Sequence, residues 1–419
     1  MTDTTARPRQ RAGRAIAGLL DQAFTAGANA LNGLVAGVLL GPAPYGRYVA
    51  VIGIAFITVA IARAFIGEVL LTHTARASGE EYARQIRNAT ATAGLVGVLA
   101  VIVAVAIWFV GFEILRDLLW LAPFLPAALL QDACRFAFLA QGRPQRSLVV
   151  TGIALLSQLL IVTGLYLADA VSPGSLLIAW GSGTVVGSLV GLTLLRTNPF
   201  SGRAVVWVSE TRHLSAWFAA TAVLAQTQTW VVLYFVGGFL GEADLGGLRM
   251  LQLIVLMPVQ NFIWALTGLI VPGYSHFAGQ GDAGKIRQRA RMLVSAFTGA
   301  AAVLVALVPI LRWALDALLP DYREYSHVLW PVAIQAGVYL IQAPLNAALR
   351  GMQQARASFV QYAVFTSVIL PGGVIGAVTA GVEGVAYGMV CGAFAGLIAA
   401  YVLYHRGLGQ LTPAAETSR

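Results

Sequence analysis

Four ionisable residues stand inside long apolar runs: Asp21, Arg63, Asp132 and Arg135. A charge at mid-helix in lipid costs about 2.5–3.5 kcal/mol on insertion scales, so each must face protein or water. Arginine carries a fixed fork of donors that matches phosphate oxygens. Two arginines at one depth would therefore suit an anionic head group. The alternative is mutual neutralisation: Asp132 and Arg135 are spaced i and i+3. Arg63 has no acid at i±4 and would have to pair across helices, with Asp21 or Asp132.

Neutral polar residues extend the pattern at helical spacing. One stripe is Asp21, Thr25, Asn29 and Asn32; a second is Arg249, Gln252, Gln260, Trp264 and Thr267. A third is Gln335, Tyr339, Gln342, Asn346 and Arg350, and Gln226, Gln228, Thr229 and Trp230 form a looser group. Singly, such residues read as interhelical hydrogen bonds averaging about 0.6 kcal/mol. Together they point to a wet cavity. Trp230 and Trp264 either stack on sugar rings or pack in the bundle. Arg47 and Arg249 follow similar turns, where they either receive an anion or anchor the interface. No catalytic or metal chemistry accompanies them: the five histidines lack metal-ligand spacing, and no glycine-rich phosphate loop precedes Lys285.

The elements that position these residues follow from composition. The chain has 419 residues, 58% hydrophobic and 11% charged, with a mean hydropathy of +0.76. Soluble domains carry about 25% charged residues, so soluble enzymes and nucleic-acid-binding domains are excluded. A membrane span needs about 20 apolar residues. Twelve candidates result: 14–40, 45–71, 88–110, 117–140, 147–167 and 175–195, then 214–237, 246–271, 291–311, 328–349, 357–377 and 384–404. Of 27 Lys and Arg residues, most fall in alternate loops, which places both termini on the cytoplasmic side. At 1.5 Å per residue, Asp21, Arg63, Asp132 and Arg135 all sit about 9–13 Å above the cytoplasmic span ends. The apolar run before Asp21 is too short for a signal peptide, so a retained helix is expected. Trp108, Trp120, Trp207, Trp217, Trp313 and Trp330 read as interfacial belt residues. Cys134 and Cys391 suggest no disulfide framework.

Six spans then six suggest duplication. Leu40, Gly41, Ala43 and Gly46 match Leu240, Gly241, Ala243 and Gly246, and Ala83, Ile86 and Arg87 match Ala283, Ile286 and Arg287. Gly142-Arg143-Pro144-Gln145 aligns more loosely with Gly351-Met352-Gln353-Gln354. An even number of spans per half makes the halves parallel. The expected fold is an all-α polytopic membrane protein, with twelve transmembrane helices in two parallel six-helix lobes around a central cavity. Its expected parts are an N-terminal lobe (1–196), a linker (197–213), a C-terminal lobe (214–405) and a tail (406–419). Such architecture suggests a transporter. A membrane-embedded glycan polymerase or ligase would need a larger outer loop with clustered Arg or His.

Asp21-Gln22, leading into Leu39-Leu40-Gly41-Pro42-Ala43-Pro44-Tyr45-Gly46-Arg47-Tyr48, resembles the bacterial polysaccharide flippases. These are the oligosaccharide-lipid branch of the multidrug/oligosaccharidyl-lipid/polysaccharide exporter superfamily. Asp132, Arg135 and Ala140-Gln141-Gly142-Arg143-Pro144 are similar to that branch's fourth helix, and Leu240–Gly246 through Pro258 to Pro272 to its seventh and eighth helices. The resemblance spans about residues 14–404. It implies a non-enzymatic flippase that moves a polyprenyl-pyrophosphate-linked oligosaccharide across the bacterial inner membrane by alternating access, for O-antigen, capsule or exopolysaccharide. The candidate substrate-binding residues, read from charge, depth and polar spacing, are Arg63, Arg135, Asp132, Asp21, Arg249, Gln252, Gln260, Trp264, Trp230, Gln335, Gln342 and Asn346, and the resemblance implies that Arg63 and Arg135 fit a cationic cavity. Expected partners are the lipid-linked oligosaccharide and membrane lipids, with a polymerase and glycosyltransferases in the same pathway. The chain is expected to be monomeric, without nucleic acid or cofactor, and H+ or Na+ coupling through Asp21 or Asp132 stays open. Lipid II flippases look similar but have fourteen spans. The alternative within the superfamily is a cation-coupled multidrug exporter.

Overall fold

The computed structural model describes residues 8–73 and 79–411. Its helices are α1 (Pro8–Leu40), α2 (Pro42–Ala62), α3 (Glu68–His73), α4 (Gly79–Phe109), α5 (Leu118–Leu121), α6 (Leu125–Ala140), α7 (Pro144–Leu167) and α8 (Pro173–Leu195). They continue with α9 (Ala204–Phe239), α10 (Glu242–Leu251), α11 (Met257–Gly279), α12 (Ala283–Ala306), α13 (Val308–Leu318), α14 (Leu329–Gly351) and α15 (Ala355–Leu411). No strand occurs among the described residues.

Among the described residues, ten stretches are long and apolar enough to cross a membrane. One of them, Arg356–Leu411, is two passes: Ala380 (φ −145°) and Gly381 (φ 59°) break the helix and turn the chain back. The remaining pass is α5, a 3-10 turn over Ala122–Phe124, and α6. Pro123 and Pro126 interrupt helical hydrogen bonding there, which leaves α6 only 16 residues long. The protein is thus a multi-pass, all-helical membrane protein with twelve passes.

The chain divides into two compact units, 1–230 and 231–419, and the division falls inside α9. Residues 204–213, expected as part of a linker, are helical. Trp207, expected in an interfacial belt, is instead fully buried in the first unit, against Ala62, Ile66, Ile86 and Ala133. Trp217 lies outside the described side chains. In the first unit α6 is the hub, touching α4, α7 and α8; in the second, α14 touches α11, α12 and α15.

Backbone geometry supports the duplication. Gly41 (φ 71°, ψ 173°) and Gly241 (φ 111°, ψ 172°) start α2 and α10 in the same left-handed conformation. Ile86 and Ile286, also 200 residues apart, are both buried core residues. The looser match needs correction. Gly142 (φ 66°) closes α6, and Arg143 N–H donates to the Phe138 carbonyl; Gln353 (φ 58°) closes α14, and Gln354 N–H donates to the Leu349 carbonyl. Gly142 therefore corresponds to Gln353 rather than Gly351. In that register Asp132 and Arg135 correspond to Ala343 and Asn346.

In both units a late span packs on its neighbours through glycines four apart. Gly183, Gly187 and Gly191 on α8 leave room for Ala154, Gln131 and Cys134. Gly384, Gly388 and Gly392 let the second half of α15 lie on Gly376, Gly372 and Ile369 of the first half. In lipid, where apolar surface gives little drive for association, close backbone contact of this kind holds helices together.

Candidate functional site

The second span of the first unit does not run as a regular α-helix. After α2, residues Arg63–Gly67 form a π-helical turn before α3 resumes. Such a turn inserts a residue, re-aims side chains and frequently marks functional sites. It places the Arg63 guanidinium across Asp132 of α6, with Nε 3.1 Å from Oδ2 and Nη2 2.8 Å from Oδ1. Gly67 makes room for the Phe136 ring, which lies 5.7 Å from the Arg63 guanidinium carbon.

The network continues inward. Arg135 Nη1 donates to Asp132 Oδ1 at 3.1 Å, and its Nη2 donates to Asp21 Oδ2 at 3.0 Å and Thr25 Oγ1 at 2.6 Å. The chain Asp21–Arg135–Asp132–Arg63 joins α1, α6 and the π turn, and its formal charge is zero. The four residues picked out by type and depth thus meet in one place. Their arrangement corrects the expectation of a cationic focus: each arginine is matched by an aspartate.

Exposure separates the members. The Arg63 side chain is 34% exposed, against 9% for Asp132, 7% for Arg135 and 1% for Asp21. A small crevice of about 10 Å³, room for about one water molecule, opens beside Arg63 and Asp132, walled by Val59, Ala62, Ile66 and Leu129. Arg63 spends Nε and Nη2 on Asp132, which leaves its Nη1 uncommitted. Deeper in, Asp21 Oδ1 and Arg135 Nε are buried without a hydrogen-bond partner. Arg135 and Asp21 are therefore the sequestered members of the network, and Arg63 is its most exposed member.

The other expected residues lie elsewhere. Trp230 is 4% exposed; it packs over Gly53 and beside Phe56, and its indole N–H donates to Gln226 at 3.1 Å. Its face is covered, so the stacking expectation gives way to packing. In the second unit, Gln252 opens a second π-helical turn (Gln252–Leu256), accepts from Arg249 at 3.4 Å and donates to Met389 sulfur at 3.5 Å. Gln335 donates to the Tyr339 hydroxyl at 3.0 Å. Gln342 is buried, and Gln260 and Asn346 are half-buried. Trp264 is 65% exposed with the Arg350 guanidinium 5.6 Å from its ring. Arg47 lies 4.0 Å from Asp117.

Sequence reasoning missed one feature of the first unit. Asn32 and the Tyr48 hydroxyl exchange hydrogen bonds, and Gln158 of α7 donates to Asn32, which ties α1, α2 and α7 together. Gln158 was visible as a polar residue within the apolar run Ala154–Val162.

No family model and no curated relative matches the sequence. Solved structures do match the fold. The "Lipid II flippase MurJ, inward closed conformation" aligns with a TM-score of 0.75 at 13% identity, covering 95% of this chain and 89% of that one. An inward-facing multidrug resistance MATE family transporter of the MOP superfamily aligns at 0.73 and 13% identity, covering 95% and 96%. A Vibrio cholerae MATE transporter, VcmN in the bent form, aligns at 0.59 and 16% identity, covering 96% and 97%. At this identity the likeness establishes a shared fold. A flippase and a drug exporter fit it almost equally well.

Proposed function

We propose that this protein is a membrane transporter that flips a polyprenyl-pyrophosphate-linked oligosaccharide across the cytoplasmic membrane by alternating access, for assembly of a surface polysaccharide. The observation that carries this reading is Arg63: one edge of its guanidinium is held by Asp132, and the side chain lines the crevice. A pyrophosphate offers oxygen acceptors for Nη1, which Asp132 leaves uncommitted, and the polyprenyl tail can stay in the bilayer. Guanidinium–phosphate pairing is among the stronger polar contacts available away from bulk water. The flippase and exporter folds named above both support a transport role.

The competing reading is a cation-coupled multidrug exporter. A site for cationic substrates needs carboxylates with charge to spare. Asp21 and Asp132 are both committed to arginines, which favours the anionic cargo.

The test is complementation of a strain that lacks its own oligosaccharide-lipid flippase, with wild type, Arg63→Ala and Arg135→Ala at equal expression. Surface glycan restored by wild type and lost in Arg63→Ala supports the reading. Restoration that survives both substitutions removes the site assignment. Resistance to cationic dyes without glycan restoration moves the chain to the exporter class.

A further inference from the structure

The start of α12 carries a second basic cluster, which the transport site does not use. Lys285, Arg287, Arg289 and Arg291 fall within seven residues. Lys285 is paired with Asp282 at 2.9 Å. Among the described residues, Arg287, Arg289 and Arg291 side chains make no ion pair or hydrogen bond. The Arg289 guanidinium lies about equally over the rings of Tyr274 (5.9 Å) and Phe277 (6.0 Å), in space that a β-carbon on Gly273 would fill. Arg287 and Arg291, one helical turn apart, both act electrostatically on the Tyr404 phenol, which in turn neighbours Tyr274. Tyr274 and Tyr404 are 0% and 3% exposed, and each hydroxyl is buried with no partner.

Three unpaired guanidinium groups and two unpartnered phenols make a site rich in donors and short of acceptors. The two phenols are buried, and buried polar groups in folded proteins are nearly always satisfied; with the exposed Arg287 and Arg291 and the half-buried Arg289 beside them, the chemistry that fits is an oxyanion with several oxygens. The corresponding turn in the first unit differs: at the start of α4, Glu81 accepts from Arg84 and Gln85 at 2.8 Å each, and the Tyr82 hydroxyl donates to the Ala137 carbonyl at 3.3 Å. A general excess of arginine at the cytoplasmic face therefore does not explain the second cluster. Exposed apolar side chains adjoin it on the same helices: Met292 on α12, and Ile398, Tyr401 and Val402 on α15.

We propose that this cluster binds the phosphate of an anionic membrane lipid, one per chain, with the acyl chains along the exposed faces of α12 and α15. The arginine distribution places the site at the inner leaflet. The proposal is independent of the cargo at Arg63.

The test uses the purified full-length chain in neutral detergent, titrated with phosphatidylglycerol or phosphatidylcholine and read by native mass spectrometry. One phosphatidylglycerol should bind in preference to phosphatidylcholine. Each basic side chain near an anionic lipid surface contributes about 1 kcal/mol, so Arg289→Gln should weaken binding about fivefold and Arg287→Gln with Arg291→Gln about thirtyfold. Arg84→Gln on α4 should leave binding unchanged. Tyr404→Phe should lower the thermal stabilisation that lipid gives without lowering the lipid-free melting temperature. Equal lipid retention by wild type and the arginine variants would overturn the proposal. So would displacement by excess inorganic phosphate that reproduces the stabilisation, because the site would then belong to free phosphate.

Discussion

α6 and α14 end on the same left-handed turn, with the same backbone hydrogen bonds, and each is the hub of its unit. At the register those turns fix, the first unit has Asp132 and Arg135 where the second has Ala343 and Asn346. Both units also break their second span with a π-helical turn, but at different depths: Arg63 lies 22 residues past Gly41 and Gln252 only 11 past Gly241. The helix-ending turns match between the units, while the π turns and the charges have diverged. The first unit carries paired charges within its span; the second carries neutral amides there and unpaired arginines at its rim. A paired arginine can stay in the membrane interior and still offer a free edge, which an amide cannot do with comparable strength.

The sharpest way to break that contrast is Asp132→Asn. It leaves Arg63 and Arg135 without their shared acceptor, and removing one member of a buried ion pair costs about 3–5 kcal/mol. Gln342→Leu, on the matching helix of the second unit, should cost less than about 2 kcal/mol, since a neutral group is lost. Thermal unfolding of both variants in detergent gives the comparison, and equal losses would show that the two hubs do not differ energetically.

Gly388→Ala probes a feature the units share rather than one that separates them. A β-carbon there collides with the Gly372 backbone, and overpacking of this kind costs about 1–3 kcal/mol. Gly183→Ala, against the Ala154 carbonyl in the first unit, should fall in the same range. A loss confined to one unit, read by limited proteolysis, would mean that only one hairpin depends on close glycine contact.

The smallest effect expected is at the rim. Asp282 caps α12 through the Lys285 amide and pairs with the Lys285 ammonium, which holds its carboxyl below the ordinary value of 3.8. A depressed folded-state value means the contribution is complete above about pH 4 and fades as pH falls through the lowered value. Protection from hydrogen exchange at the first turn of α12, taken relative to the intrinsic amide rate at each pH, should therefore be unchanged from neutral pH to about pH 4 and fall only below it. The fall should vanish in Asp282→Ala, where protection is already low at neutral pH.

The spans, the duplication and the meeting of Asp21, Arg63, Asp132 and Arg135 were legible because apolar run length and polar spacing are local properties of the sequence. Their pairing was open, since the sequence admits both mutual neutralisation and a cationic focus, and which aspartate Arg63 meets depends on packing across helices. α13 was hidden for a similar reason: Pro309 follows α12 closely, and one apolar run became two helices. Trp207 was misread because an indole beside a basic segment looks interfacial until the packing of α9 on the first unit is known. The match of Gly142 with Gly351 rested on residue identity, whereas the left-handed conformation at Gln353 sets the register.

The most direct test of the central claim is the rate at which purified protein in liposomes flips a fluorescent polyprenyl-pyrophosphate glycan, for wild type and Arg63→Gln. Arg63 is the most exposed member of the network and Asp132 keeps Arg135 as a partner in that variant, so its melting temperature should fall less than that of Asp132→Asn. A fall in rate of about tenfold or more, equivalent to about 1.4 kcal/mol, is the expected result. An unchanged rate in a folded variant would contradict head-group recognition by Arg63.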